Sequence, residues 1–556
     1  MAKYKIVEQS ILAYFLQWEK NTPDAVFLRM PHGHSWLEMT FQEVGLASRK
    51  LVSYMHSIGL IKGDHIAIIS KNCPEWIITD LAIMMGGMVS VPFFANLPAD
   101  QLGDLLIQSD SKALFIGKLD EWVSLKKGIP DGVQLIKMKH YEGNAKVDLG
   151  RDWDEIMKNS APVDEICHPS LDDLWTIIYT SGTTGLSKGA MIQHGTPIKI
   201  IVNEGEHADI KIFEFANHRF VSYLPLNHIA ERIIVEVAAI VCGAPISFIE
   251  SVQSFTENIQ SIRPTVFLAV PRIWMKFQQG ILQKMSANTL KILLKLPLIS
   301  SLIKRKIKSA LGLSEAEVIL TGAAYCSDEI KNWFWELGIH IHEVYGMTEN
   351  CGGCALMPFG ERKDGFVGKL LPKVEVKIDA SSGEIIMRAP WLMKGYYKNE
   401  EMTCSVLKEG WLFTGDSGEL ENNYLKITGR ISDTFKTSKG KFVVPSVAEK
   451  SIASDIFVEQ VCVIGNGLEQ PMAIIVLTEL AKEKPESELE QIFRDLLIQT
   501  NSVLPNHEKL ARLVLEREPW TNENNMLTPT LKVKRREVDK KYLSLKFDEK
   551  KEIVFF

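Results

Sequence analysis

Cysteine is scarce: eight in 556 residues, too few and too scattered for a disulfide scaffold, so a reducing, cytoplasmic compartment is expected. Long apolar runs are missing as well. The two longest, 81–95 and 237–249, fall short of the ~20 residues a membrane-spanning helix needs and contain Pro92 and Pro245. Charge of one sign does not dominate, with 63 Lys plus Arg against 69 Asp plus Glu, which leaves no overall footprint for nucleic acid. There is no internal period of solenoid length and no low-complexity linker. The first twenty residues hold Glu8 and Glu19 and no small-residue cleavage site, so no export signal is expected.

What is present is ordinary globular material, 46% apolar and 24% charged, in a chain longer than one core can fill, since single cores stop growing near ~250–300 residues. Short apolar runs at 65–70, 113–116, 266–270 and 318–320 alternate with amphipathic stretches of helical length, an α/β pattern. Runs without polar alternation predict strands buried on both faces of helix-covered parallel sheets, with ligands at the strand carboxyl ends. Glycine, aspartate and serine punctuate 383–440 and predict turns between short strands. A lysine-rich stretch, 436–441, then precedes a fresh alternation with a charged helix near 482–500. The boundary is placed at 431–433, giving a large domain over 1–430, a hinge at 431–434 and a small domain over 435–556.

The densest chemical signal is Tyr179-Thr-Ser-Gly-Thr-Thr-Gly-Leu-Ser-Lys-Gly189, after a strand-like run at 174–179. Glycines let backbone approach an anion, hydroxyls and N–H groups can cradle phosphate oxygens, and Lys188 can neutralise them. A nucleoside-triphosphatase P-loop needs Gly before the lysine and Ser or Thr after it. Lys188 instead lies between Ser187 and Gly189, so that reading fails. A plain surface turn is the bland alternative, and eleven patterned residues weigh against it. Tyr345-Gly-Met-Thr-Glu349 offers an aromatic face, a hydroxyl and a carboxylate suited to a hard cation. Asp416 could accept from vicinal hydroxyls, and Arg430 is a forked donor. Cys351-Gly-Gly-Cys354 is one CxxC without a second pair, too weak for a metal site, and reads as a pocket loop.

Together with Leu224-Pro-Leu-Asn-His-Ile-Ala-Glu-Arg232, Thr321-Gly-Ala-Ala324, Gly410-Trp-Leu-Phe-Thr-Gly-Asp416, Gly429-Arg430 and Pro529-Thr-Leu-Lys532, these segments resemble the adenylate-forming superfamily of acyl-CoA synthetases, luciferases and peptide-synthetase adenylation domains. The resemblance spans nearly the whole chain, and the segment 263–274 with 345–351 looks most like the long-chain fatty acyl-CoA synthetases. Two departures are Ser187, where proline is common, and Ser432 at the hinge, where Asp or Lys is more usual.

The resemblance implies a large N-terminal domain of helix-covered sheets with a small mobile C-terminal α+β domain. It implies ATP and AMP binding by Thr180, Ser181, Gly182, Thr183, Thr184, Gly185, Lys188, Gly322, Ala323, Ala324, Tyr345, Gly346, Thr348, Asp416 and Arg430. Catalytic roles fall to Lys532, Lys188, Thr348 and Glu349, the last also binding Mg²⁺. His228 would flank the acyl and thiol passage, Ser432 would be the hinge, and Lys439 and Gly440 would serve coenzyme A after the small domain rotates. Amino-acid-activating relatives place an aspartate just after the position of His228; Ile229 and Ala230 stand there instead. A buried ammonium would find no partner, so an uncharged acyl chain is expected.

The implied activity is conversion of a fatty acid, ATP and coenzyme A to acyl-CoA, AMP and pyrophosphate. A ligase loading a carrier protein, or a non-catalytic nucleotide- or lipid-binding relative, is the alternative. Between Glu257 and Glu315 there is no acidic residue and there are ten Lys or Arg. Two readings of 276–311 stay open: a solvated basic helix pair packed on the large domain, or a peripheral contact with an anionic membrane face.

Overall fold

The computed structural model describes every residue except 1–5, 34, 182–186, 208–209, 523, 529–531, 546 and 549–550. Two large sheets carry residues up to Arg430. The smaller is eight-stranded, in the order Gly395–Tyr396, Ser187–Gln193, Leu174–Ser181, Val89–Phe93, His65–Ile69, Ser111–Ile116, Gln134–Lys137, Arg151–Asp152. It is parallel from Leu174–Ser181 outward and antiparallel at the other edge. Ile66, Ile68, Ala113 and Phe115 face one apolar cluster, while Ala67, Ile69, Leu114 and Ile116 face another. Burial on both faces removes the polar alternation a one-sided strand would show. The apolar run at 81–95 resolves into the end of the helix Pro74–Met85, whose residues are all buried, a turn, and a strand.

The other large sheet has fourteen strands and is mixed rather than parallel. Phe220–Ser222, Ile246–Phe248, Val266–Ala269, Val318–Gly322 and His342–Tyr345 form its parallel part. From His342–Tyr345 onward it is antiparallel. The prediction of short strands across 383–440 needs correction: Trp411–Glu421 is an eleven-residue strand, and Glu400–Val406 is a helix capped by the Asn399 side chain. The predicted helix near 482–500 is in fact Glu486–Val503, set off from the short helix Glu479–Lys482 by Pro485 at its N-cap, because proline lacks the N–H a continuous helix would need.

Residues beyond Phe435 build a separate four-stranded sheet: Val458–Ile464, Met472–Leu477, Arg512–Glu516, Ile553–Phe555. Ala473, Ile475 and Leu477 pack with Leu489, Phe493 and Leu496, while Met472, Ile474 and Val476 pack with Trp520, Val538 and Tyr542 on the opposite face. Among the described residues no hydrophobic cluster spans this unit and the rest. They touch through polar contacts. Ser446 Oγ and Lys450 Nζ donate to the carbonyls of Thr428 and Ile427, Arg272 pairs with Glu459, and Asn522 donates to the Asn96 carbonyl at 3.1 Å. Among the described residues no helix is long and apolar enough to cross a membrane.

Candidate active site

The antiparallel pairing of Trp411–Glu421 with Tyr424–Arg430 sets Asp416 opposite Arg430. Arg430 Nε lies 3.0 Å from one oxygen of Asp416, and the Tyr345 hydroxyl donates to the other at 2.7 Å. Tyr345 is the last residue of a strand whose neighbour ends at Gly322, so both motifs meet at strand carboxyl ends. Asp416 is buried. Burial and the Asp416 charge push the Tyr345 phenol well above its usual range, which keeps it a neutral donor. Carboxylate oxygens have two acceptor sites each, so vicinal hydroxyls can still be accepted beside these partners. Two backbone details mark the rim. Ala323 sits at φ +65°, a left-handed conformation costly for alanine, and a Cβ on Gly346 would lie 2.2 Å from the Gly352 carbonyl oxygen, so only glycine fits that turn.

The hydroxyl-rich motif is a hairpin. Leu174–Ser181 pairs with Ser187–Gln193, Thr180 opposite Lys188 and Ser181 opposite Ser187; Gly182, Thr183, Thr184 and Gly185 lie outside the described residues. The described residues after 182–186 form a strand, Ser187–Gln193, rather than a helix. The short strand Gly395–Tyr396 adds to this hairpin through Met191 and Ala190. That places the Tyr396 ring under Lys188, whose Nζ lies 5.4 Å from the ring centroid, while the Tyr396 hydroxyl donates to Glu349 at 2.7 Å. Glu349, in the 3₁₀ turn Thr348–Asn350, is half-buried and Thr348 is buried. Among the described residues no group of three or more His, Cys, Asp and Glu could hold a metal alone. Glu349 suits Mg²⁺, which keeps waters and phosphate oxygens around one or two carboxylates.

Lys532 comes from the small unit and is exposed as a residue. The surrounding protein and the Arg430 charge hold it below the usual lysine range, with Asp416 and Glu349 pulling the other way. His228 feels it too: burial and the Lys532 charge lower the imidazole to about 4, so His228 is neutral, and its Nδ1 accepts from the Ala230 N–H at 3.2 Å. The neighbouring cations have other partners. Arg535 pairs with Glu449 at 2.7 Å and Asp433 at 3.7 Å, and Lys534 donates to the Asn525 side chain.

Lys439 and Gly440 are not brought to this cleft. Both are exposed, Lys439 lies 3.8 Å from Glu469, and the Ser438 N–H donates to the Leu468 carbonyl within the small unit. Ser432 is exposed in the 3₁₀ turn Ile431–Asp433. Cys351 and Cys354 are wholly buried in the large apolar cluster, and burial pushes the Cys354 thiol up to about 12, so neither is a nucleophile.

Sequence reasoning passed over two residues. Tyr396 is one, and its signal was the Gly-Tyr-Tyr of a short strand. Asn72 is the other: from the loop after His65–Ile69 it donates to Ser222 Oγ at 2.8 Å and the Leu224 carbonyl at 2.7 Å, tying the loop before His228 to the smaller sheet. The polar stretch Lys71-Asn-Cys-Pro74 between two apolar elements marked it.

Against known proteins, residues 15–397 match the AMP-binding enzyme family and 432–545 match the AMP-binding enzyme C-terminal domain. The chain is 29% identical to the long chain acyl-CoA synthetase 3 of Arabidopsis thaliana, over 90% of this chain and 85% of that protein. It is 26% identical to a long-chain-fatty-acid–CoA ligase of Mycobacterium bovis, over 96% of each. The fold is similar to the adenylation domain of a carboxylate reductase from Mycobacterium chelonae, with a TM-score of 0.78 at 21% identity, covering 96% of this chain and 90% of that one. It is also similar to an O-succinylbenzoate coenzyme A synthetase of Bacillus subtilis in complex with ATP and magnesium ion, with a TM-score of 0.72 at 24% identity, covering 95% and 99%.

Proposed function

The chain belongs to the AMP-binding enzyme family, and on that footing we propose that it is a fatty acid–CoA ligase acting on long-chain acids through an acyl adenylate. In the first step a carboxylate oxygen attacks the α-phosphorus of ATP, the bond to the β-phosphate oxygen breaks, and pyrophosphate leaves. In the second the coenzyme A sulfur attacks the acyl carbon, AMP leaves, and the thiol proton passes to solvent. What supports this reading is the pairing of Asp416 with Arg430 and Tyr345 and the hydrogen bond from Tyr396 to Glu349, with the charges of Arg430, Asp416 and Glu349 all felt at Lys532.

In this reading Asp416 accepts from the ribose hydroxyls, with Arg430 and Tyr345 fixing its two oxygens. Lys188 and the hydroxyls around it neutralise the leaving phosphates. Lys532 offsets charge as the carboxylate approaches phosphorus, a task of placement and electrostatics that needs no protein nucleophile. Glu349 would hold Mg²⁺, which when bound neutralises phosphate charge, and the Tyr396 hydroxyl orients that carboxylate. Ile229, 2% exposed beside His228, leaves an amino-acid ammonium without a counter-charge and so favours an uncharged chain; the long-chain assignment rests on the similar curated proteins. The arrangement suits the adenylating step, with Lys532 near Asp416 and Glu349 and with Lys439 and Gly440 outside, and the thioester step would require them to exchange.

The test is Lys532→Ala, assayed for both half-reactions. We expect pyrophosphate release from ATP and a long-chain acid to fall roughly 10²–10³-fold, the scale of losing one positioned transition-state donor, while supplied acyl adenylate is still converted to acyl-CoA. Equal loss in both steps would refute the division of labour. Turnover with a carrier protein but not with free coenzyme A would reassign the acceptor.

A further inference from the structure

Nine of the ten cations, from Arg272 to Lys308, lie in or directly after three helices, Pro271–Lys284, Ala287–Leu294 and Pro297–Ala310, and the last has no fully buried residue. Its inner side is ordinary: Ile303 and Ile307, with Leu294 before them, pack against the apolar cluster built on Phe267, Trp274 and Phe334. Its outer side is not polar, as a solvated face would be. Leu298 is 86% exposed and Leu302 57%, one helical turn apart, with Ile292 at 63% and Leu296 and Ile299 also exposed. Lys291, Lys295, Arg305 and Lys306 are exposed around them. No acidic residue lies anywhere between Glu257 and Glu315, so these cations lack local carboxylate partners.

We propose that this outer face, centred on Leu298 and Leu302, is a docking surface for an anionic phospholipid bilayer. Apolar side chains at successive turns can enter the acyl boundary while the cations lie at headgroup level, the arrangement of an interfacial amphipathic helix. A protein partner would bury the leucines equally well, but a face whose helices carry cations and no carboxylate favours a diffuse, uniformly anionic surface over a mosaic one. The proposal is independent of the ligase reading, because docking needs neither ATP nor acid.

The experiment is co-sedimentation of the full-length chain with phosphatidylglycerol/phosphatidylcholine vesicles and with pure phosphatidylcholine vesicles, without substrates. Binding should require the anionic lipid and should weaken in high salt, which shortens the range of surface charge. The double variant Leu298→Glu/Leu302→Glu should bind at least about tenfold less, since it removes buried hydrocarbon and adds charge of the wrong sign. Ile498→Glu, at an exposed apolar position in the small unit, should bind as the parent does, and both variants should keep the parent's thermal midpoint. Absence of parental binding, or equal binding by the double variant, would overturn the proposal. So would an oligomer in the parent that the double variant loses, because a second copy would then be the occupant.

Discussion

Arg232 and Arg430 both bind carboxylates at close range, in different surroundings. Arg232 is fully buried, lies 3.9 Å from the Trp175 ring centroid, and pairs with Asp80 at 2.5 Å and Glu236 at 2.8 Å. Arg430 is nearly half exposed, 46% at its side chain, and pairs with Asp416 at 3.0 Å. Desolvation of the first group is repaid only by its partners, so it is committed to the fold. The second keeps water and unused donors, so it remains available to a ligand. Close ion pairs thus mark function only where solvent still reaches them.

The sharpest way to break this contrast is Arg232→Met. It leaves the Asp80 carboxylate and the Glu236 carboxyl buried without their partner, and we expect a loss of about 3–5 kcal/mol of stability, read by denaturant unfolding. A change under 1 kcal/mol would mean the pair is not structural. Arg430→Gln should do the reverse. Stability should stay within about 1 kcal/mol, as for an exposed pair, while kcat/KM for pyrophosphate release falls on the order of 10²-fold. A variant that unfolds instead would erase the distinction.

The finest test uses Glu231, adjacent to Arg232 in sequence but not paired with it. Glu231 is buried, accepts from the Tyr223 N–H at 2.9 Å, and has one oxygen without a partner. Burial raises its carboxyl from 4.5 to about 8. Between those values the folded chain keeps a proton that the unfolded chain releases, so Glu231's contribution is fully present below the lower value and is lost as pH rises towards the upper one. In Glu231→Gln the decline in unfolding free energy from pH 5 to pH 8 should be shallower than in the parent. An unchanged slope would show that Glu231 is ionised throughout.

Part of this site was legible because Tyr345 and Gly322 sit at strand ends, where short apolar runs stop and polar motifs begin. They declared themselves in that way, and Asp416, which lies mid-strand in Trp411–Glu421, declared itself through the Thr-Gly-Asp of its motif. Tyr396 did not, since its contact with Glu349 depends on Gly395 and Tyr396 joining the edge of a hairpin two hundred residues earlier in the chain, a pairing that no local pattern encodes. A different limit applied to the large sheet. Its antiparallel strands alternate between a buried and a more open face, but the Gly, Asp and Ser scattered through 383–440 read as turns between short strands, so the antiparallel half was not apparent. The Arg232 network left a fainter trace, three charges at 231, 232 and 236 inside an apolar stretch. Resemblance to the family motif picked Lys532 out from its basic neighbours Lys534, Arg535 and Arg536, and in the structure Arg535 is engaged by Glu449 and Lys534 by Asn525.

The seam between the two units has one more implication. Among the described residues its contacts include an ion pair, a few hydrogen bonds to carbonyls and a lysine over the Tyr325 ring, and no buried hydrophobic cluster spans it. Water can replace each of these polar contacts almost in kind, so separating the surfaces opens no hydrophobic core and meets little thermodynamic resistance. The timing of such a swing would then be governed by what occupies the cleft rather than by adhesion at the joint.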